Sequence, residues 1–222
     1  MIKVLSIATS LLLAVTGSAH AVQVTLHSSN QGISSIAVNV TGTLITIDET
    51  WTSAGPGFLE ISDLEPGTDY TIVKNITNNS GEDWSRLANE LLDPEGQTED
   101  SNDILPYPGF VPAGFTTSND TDGLSFAQGS GIPRTSNVFL NLTVDELSDA
   151  RDFLDFFDGN LANGGTGTVS YGLRENDGTQ QPFLLSQRPN AFSTEIPEPS
   201  SVLLLGSGLI GLWLAKFRKQ SR

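Results

Sequence analysis

A period of two recurs along the middle of this chain. Val22-Gln23-Val24-Thr25-Leu26 alternates apolar and polar residues. Leu44-Ile45-Thr46-Ile47 and Tyr70-Thr71-Ile72-Val73 follow less regularly, and Val138-Phe139-Leu140-Asn141-Leu142-Thr143 and Thr168-Val169-Ser170-Tyr171-Gly172-Leu173 continue the pattern. Successive side chains of an extended strand point to opposite faces, so each run can bury one face and wet the other. Clusters of Gly, Pro, Asn and Asp end the runs, because those residues supply turn dihedrals. Many short strands at this spacing predict a mainly β fold, a β-sandwich of short antiparallel strands. Asp177-Gly178 reads as a hairpin turn.

Three stretches depart from the alternation. Thr143-Val144-Asp145-Glu146 has the form of a helix capping box. Leu147, Ala150, Leu154 and Phe157 then fall on one helical face and Gly159 can stop the helix, so one short helix is expected there. Asp152, Asp155 and Asp158 would lie on its solvated face. Residues 84–92 have helix propensity, with Leu87 and Leu91 at helical spacing. Residues 93–123 are rich in Pro, Gly and acids and read as a long surface loop.

Both ends have their own logic. Residues 1–21 carry one Lys, an apolar run and the small residues Ala19 and Ala21 at the two positions that a signal peptidase reads. A signal helix removed after Ala21 is expected; a membrane anchor is the alternative. Near the other end, Pro197-Glu198-Pro199 cannot sit inside a regular helix. The 15 residues Ser201 to Ala215 carry no charge and would rise about 22 Å as a helix. That is short of a hydrocarbon core of about 30 Å, but Lys216, Arg218, Lys219 and Arg222 can reach the interface, and Trp213 suits the headgroup boundary. The basic cluster belongs on the cytoplasmic side, which puts the rest of the chain on the periplasmic side. The expected division is a leader at 1–21, a body at 22–195, and a tail with a transmembrane helix at 196–222.

This tail resembles the PEP-CTERM sorting signal of Gram-negative bacteria in all three parts: the Pro-Glu-Pro motif, a glycine-bearing apolar helix, and a basic end. The resemblance implies recognition by an exosortase, a membrane protease-transpeptidase, transient anchoring in the inner membrane, and release or transfer to the cell surface. A permanent single-pass anchor is the alternative. Within the body, Leu64-Glu65-Pro66-Gly67-Thr68-Asp69-Tyr70 resembles the Leu-x-Pro-Gly-Thr-x-Tyr segment of fibronectin type III domains. There the tyrosine hydroxyl bonds back to the chain as a tyrosine corner, which implies a structural role for Tyr70. Lys74-Asn75-Ile76-Thr77-Asn78-Asn79-Ser80-Gly81-Glu82-Asp83-Trp84 and Phe183-Leu184-Leu185-Ser186-Gln187-Arg188-Pro189 resemble segments of surface proteins that share the tail. That resemblance makes residues 84–92 a strand, the reading favoured here.

Charge narrows the chemistry. The leader holds one Lys, and residues 197–222 hold four basic residues and Glu198. The chain's 26 acids and 11 bases therefore leave 25 and 6 to the body, a net charge of −19. Such a body repels nucleic acid. With no Cys, one imidazole outside the leader (His27), and no nucleophile elbow, P-loop or zinc signature, catalysis by an activated nucleophile or zinc has no equipment. No cofactor is expected. Calcium is the ligand the acids suit best, because hard cations take carboxylate oxygens. Its candidates are Asp93, Glu95, Asp100 and Asp103, with Glu99 beside them, and Asp120 and Asp122, although neither group has EF-hand spacing. Three functions follow as expectations: a non-catalytic surface or matrix protein associated with exopolysaccharide or biofilm; a calcium- or carbohydrate-binding module presenting Trp51, Trp84 or Tyr107 on a flat face; and a glycan-active enzyme with two facing carboxylates.

Overall fold

The computed structural model describes residues 21–95, 111–118, 123–145, 152–176 and 181–191. The described residues form thirteen strands and no helix. In chain order these are β1 (Gln23–Leu26), β2 (Ile33–Thr41), β3 (Leu44–Trp51), β4 (Gly57–Ser62), β5 (Asp69–Asn78), β6 (Leu87–Pro94) and β7 (Phe115–Thr117). They continue as β8 (Leu124–Ser125), β9 (Thr135–Ser136), β10 (Phe139–Asp145), β11 (Phe153–Gly159), β12 (Thr166–Glu175) and β13 (Phe183–Pro189).

Two sheets share one core. The first runs β1-β4-β13-β6-β11-β10, with β7 also paired to β6; the second runs β2-β3-β5-β12-β8, with β9 also paired to β12. Ile45, Ile47 and Trp51 of β3, Ile72 and Ile76 of β5, and Val169, Tyr171 and Leu173 of β12 face inward from the second sheet. Leu59 and Ile61 of β4, Leu87 and Leu91 of β6, Leu154 and Phe156 of β11, and Phe183 and Leu185 of β13 meet them from the first. Removing that apolar area from water is the main term favouring the layered arrangement.

One pairing departs from the antiparallel expectation. β3 and β5 run parallel, Leu44 opposite Thr71 through Trp51 opposite Asn78. The chain leaves the second sheet after Trp51, crosses to the first as β4, and returns beside β3 in the same direction. Parallel neighbours need such a crossover, whereas β2 and β3 need only the two-residue turn Gly42-Thr43. Gly42 takes a φ of 59° there, open to glycine without steric cost. Asp177-Gly178 lies outside the described residues; the strands on either side of it, β12 and β13, belong to different sheets. β12 and β13 therefore do not form the hairpin expected around it.

The expected helix is replaced by strand. Phe139–Asp145 and Phe153–Gly159 pair with each other as β10 and β11, and β11 also pairs with β6. The expected helix residues Leu147 and Ala150 lie outside the described residues. Phe153, Leu154, Asp155 and Phe156 are all buried. A helix with a single apolar stripe would expose some of those four, but a strand covered on both faces buries each of them. Asp152 and Asp155, expected on a solvated face, are inside; only Asp158 is exposed.

The same double cover explains β6 and β13, in which nearly every residue is buried. Their outward residues Leu92 and Leu184 join Phe58 under Val111 and Phe115. The stretch expected to be a long loop therefore supplies β7, which pairs with β6.

Tyr70 is buried, and its phenol oxygen accepts a hydrogen bond from the Glu65 N–H at 3.0 Å. The bond holds the turn before β5 against the strand it feeds. Tyr70→Phe keeps the ring and deletes this acceptor. An expected loss of about 1 kcal/mol in urea-induced unfolding measures the bond; an unchanged midpoint would mean that the ring alone matters.

Candidate functional site

Apolar alternation places some polar residues where only hydrocarbon is expected. On β3 the inward series is Ile45, Ile47, Glu49, Trp51; on β5 it is Tyr70, Ile72, Lys74, Ile76. Glu49 is 1% exposed and Lys74 is 0% exposed. Lys74 Nζ lies 3.2 Å from Glu49 Oε1. The two side chains form a fully buried ion pair. From the opposite sheet, Gln187 Nε2 donates to the same Oε1 at 3.2 Å. The indole Nε1 of Trp51 donates to the other oxygen, Oε2, at 3.0 Å. Glu49 is thus held at both oxygens and joins the two sheets.

The electrostatics follow from burial. Desolvation holds the Lys74 amine below the ordinary lysine range, while the Glu49 carboxylate pulls the other way. Burial pushes the Tyr171 phenol well up, and Glu49 adds to the shift. Among the described residues the Tyr171 hydroxyl and the Gln187 Oε1 have no hydrogen-bond partner. Trp51 and Trp84 close one side of this layer, their rings edge to face at 5.1 Å.

A second buried ion pair lies on the outer face of the first sheet. Arg188 Nη2 is 3.3 Å from Glu90 Oε2. A third polar group sits where β6, β8 and residue 118 meet. The Ser118 hydroxyl shares its one proton between the Leu124 carbonyl at 2.7 Å and Asp152 Oδ2 at 3.2 Å. Asp93 Oδ1 accepts the Leu124 N–H at 3.4 Å. In such positions carboxylates satisfy buried donors and hold the backbone.

This layout revises the residues singled out for binding. Asp93 is buried in β6, not in an acidic surface loop, because its strand continues through Pro94. Glu95 follows in an exposed turn, its N–H donating to the Gly114 carbonyl at 2.9 Å. Asp93 and Glu95 thus do not share a solvated loop. Asp100, Asp103, Asp120 and Asp122 lie outside the described residues, and among the described residues no group of three His, Cys, Asp or Glu is placed to hold a metal ion. Trp51 and Trp84 are fully buried, so neither presents a flat face to a sugar; Tyr107 lies outside the described residues. His27 sits edge-on to Phe58 and Phe115, and its Nδ1 accepts the Ser29 N–H at 3.2 Å. Ala21 is exposed and Val22 seats in the core. Ala19, Pro197, Glu198, Pro199, Lys216, Arg218, Lys219 and Arg222 lie outside the described residues, as do the expected signal and transmembrane helices. Among the described residues no helix is long and apolar enough to cross a membrane.

Glu49, Lys74 and Gln187 share no motif in the sequence. A signal existed for two of them: Glu49 and Lys74 each occupy the apolar register of an alternating strand. Gln187 carries none, because β13 is buried on both faces and has no register to violate.

Comparison with known proteins finds one feature. Residues 195–219 match the PEP-CTERM protein-sorting motif. No curated protein and no solved structure matches the chain. The motif implies an exported protein with a C-terminal membrane-anchoring sorting signal, processed by an exosortase.

Proposed function

We propose that this chain is a non-catalytic protein of the cell surface or extracellular matrix, associated with exopolysaccharide or biofilm. A signal peptidase removes the leader, the tail anchors the body on the periplasmic side of the inner membrane, and an exosortase acts near Pro197-Glu198-Pro199. The body, resembling a fibronectin type III-like sandwich, is what remains at the surface. The sorting motif over residues 195–219 carries this reading. The body's net charge of −19 supports it, since such a surface stays soluble and repels nucleic acid. So does the employment of the acids: Glu49, Glu90, Asp93 and Asp152 engage protein groups in the interior. A glycosidase would need two of its acids facing a sugar across a cleft.

The test follows the tail. In a host with an active exosortase, the intact mass of the surface protein is expected to lack residues 200–222. Replacing Pro197, Glu198 and Pro199 together by alanine is expected to leave the protein in the membrane fraction with its tail intact. Unmodified protein that keeps residues 200–222 in the membrane of that host would overturn the sorting reading.

A further inference from the structure

The Glu49 layer brings together the three functional groups of an acyl transfer. Lys74 supplies an amine, Gln187 a carboxamide, and Glu49 a carboxyl group that touches both. Lys74 Nζ and Gln187 Nε2 each lie 3.2 Å from the same Oε1. Trp51 fixes the second oxygen, so the carboxyl group cannot rotate freely. Lys74 and Gln187 are 0% exposed and Glu49 1%. The Gln187 carbonyl oxygen is not tied to any partner among the described residues. Asn89, the Cα partner of Gln187 on β6, has its carboxamide nitrogen donating to the Leu87 and Leu154 carbonyls.

From this geometry we propose that Lys74 and Gln187 become joined by an intramolecular amide bond, with Glu49 as the proton carrier. In the first step the Lys74 ammonium passes a proton to Glu49, leaving a neutral amine beside a carboxylic acid. Desolvation favours that neutral amine. The amine then attacks Cδ of Gln187, and the carbonyl electrons move to Oε1 of Gln187. Glu49 moves protons from the attacking nitrogen to Nε2. The Cδ–Nε2 bond breaks, its electron pair leaves on nitrogen, and ammonia departs. The products are one Lys74 Nζ–Cδ Gln187 amide and one ammonia, with no change of oxidation state and no co-reactant. Two reactants fixed by folding react as one molecule, which can make an otherwise slow aminolysis accessible. The dry core keeps water from competing for the same carbon.

The bond would serve a chain with no Cys. It ties β5 of one sheet to β13 of the other, across the core. Strand β13 is the last described strand before the sorting motif. Tension applied through residue 191 therefore reaches β13 first and passes through the link to β5, near the middle of the second sheet. The chemistry itself does not depend on the sorting reading.

Mass spectrometry of the full chain, expressed with its leader and purified after export, tests the proposal. Tryptic mapping under denaturing conditions is expected to show no cleavage after Lys74. It should yield a branched peptide joining the segments that contain Lys74 and Gln187, lighter than their sum by one ammonia. Glu49→Gln and Lys74→Met are each expected to return both peptides unlinked. If a variant fails to fold, the wild-type map still decides. Unlinked Lys74 and Gln187 peptides from folded wild-type protein would overturn the proposal. Loss of ammonia from a peptide that carries no branch, or a link to Asn89, would also overturn it.

Discussion

Measured against wild-type chain in which Lys74 and Gln187 are unlinked, Glu49→Leu is expected to cost about 3–5 kcal/mol of folding stability, because it leaves the buried Lys74 without its carboxylate. The loss should depend on pH. Burial already lowers the Lys74 pKa, and Glu49 opposes that shift. Removing Glu49 lowers the folded-state value further, while the unfolded chain keeps an ordinary lysine near 10.4. The unfolded state then binds more protons, so the variant gains stability as pH rises from the folded to the unfolded value. The slope approaches about 1.4 kcal/mol per pH unit. Urea unfolding of the exported protein at several alkaline pH values checks both parts. A variant that loses less than about 1 kcal/mol, or whose stability falls with pH in that window, would show that Lys74 is not held desolvated in the core.

Trp51→Ala should cost a comparable amount, about 3–5 kcal/mol, from the cavity left by a fully buried indole. Two glycines show how closely the site fits. A Cβ at Gly57 would run into the Trp51 ring, and so would one at Gly32. The backbone is thus shaped to the indole, which limits how far it can collapse into the space left behind. The variant also removes the Trp51 N–H from Glu49. Trp51→Phe is the milder control, filling part of the cavity without restoring the donor. Circular dichroism during urea unfolding reads both. Because Trp51 and Glu49 share a hydrogen bond, the double variant Trp51→Ala/Glu49→Leu should deviate from additivity by about 0.5–3 kcal/mol. Strict additivity would show that the indole acts by volume alone.

These predictions, and the proposed amide, concern one layer of the core that spans both sheets. Glu49 takes a hydrogen bond from Trp51 on its own strand and another from Gln187 across the core, and pairs with Lys74 on the neighbouring parallel strand. The parallel pairing of β3 with β5 is what makes the second sheet's contribution possible. It sets Ile47 opposite Lys74, so Glu49 lies two residues further along the adjacent strand on the same face. A polar layer of this kind is costly unless its members are paired, and here each of Glu49 Oε1, Oε2 and the Lys74 ammonium has a counterpart.

Local pattern was enough for the β class and several strands: β1, β3, β5, β10 and β12 follow from alternation, because a half-buried strand displays its period directly. The sequence also carries the sorting motif, since a Pro-Glu-Pro tripeptide, an uncharged run and a basic end are local features that need no partner. Tertiary structure decided the rest. Residues 153–159 became a strand because β6 and β10 flank them and both faces are covered, which removes the alternation and leaves an accidental helical spacing. Trp51, Trp84 and Asp93 became interior residues because strands distant in sequence cover them. Glu49, Lys74 and Gln187 stand 25 and 113 residues apart along the chain. Only the crossover that returns β5 beside β3, and the placing of β13 in the opposite sheet, bring them to one carboxyl group. Periodicity records which way a side chain points along its own strand; which side chains meet depends on pairing and layering, and those are set by the burial of the whole chain.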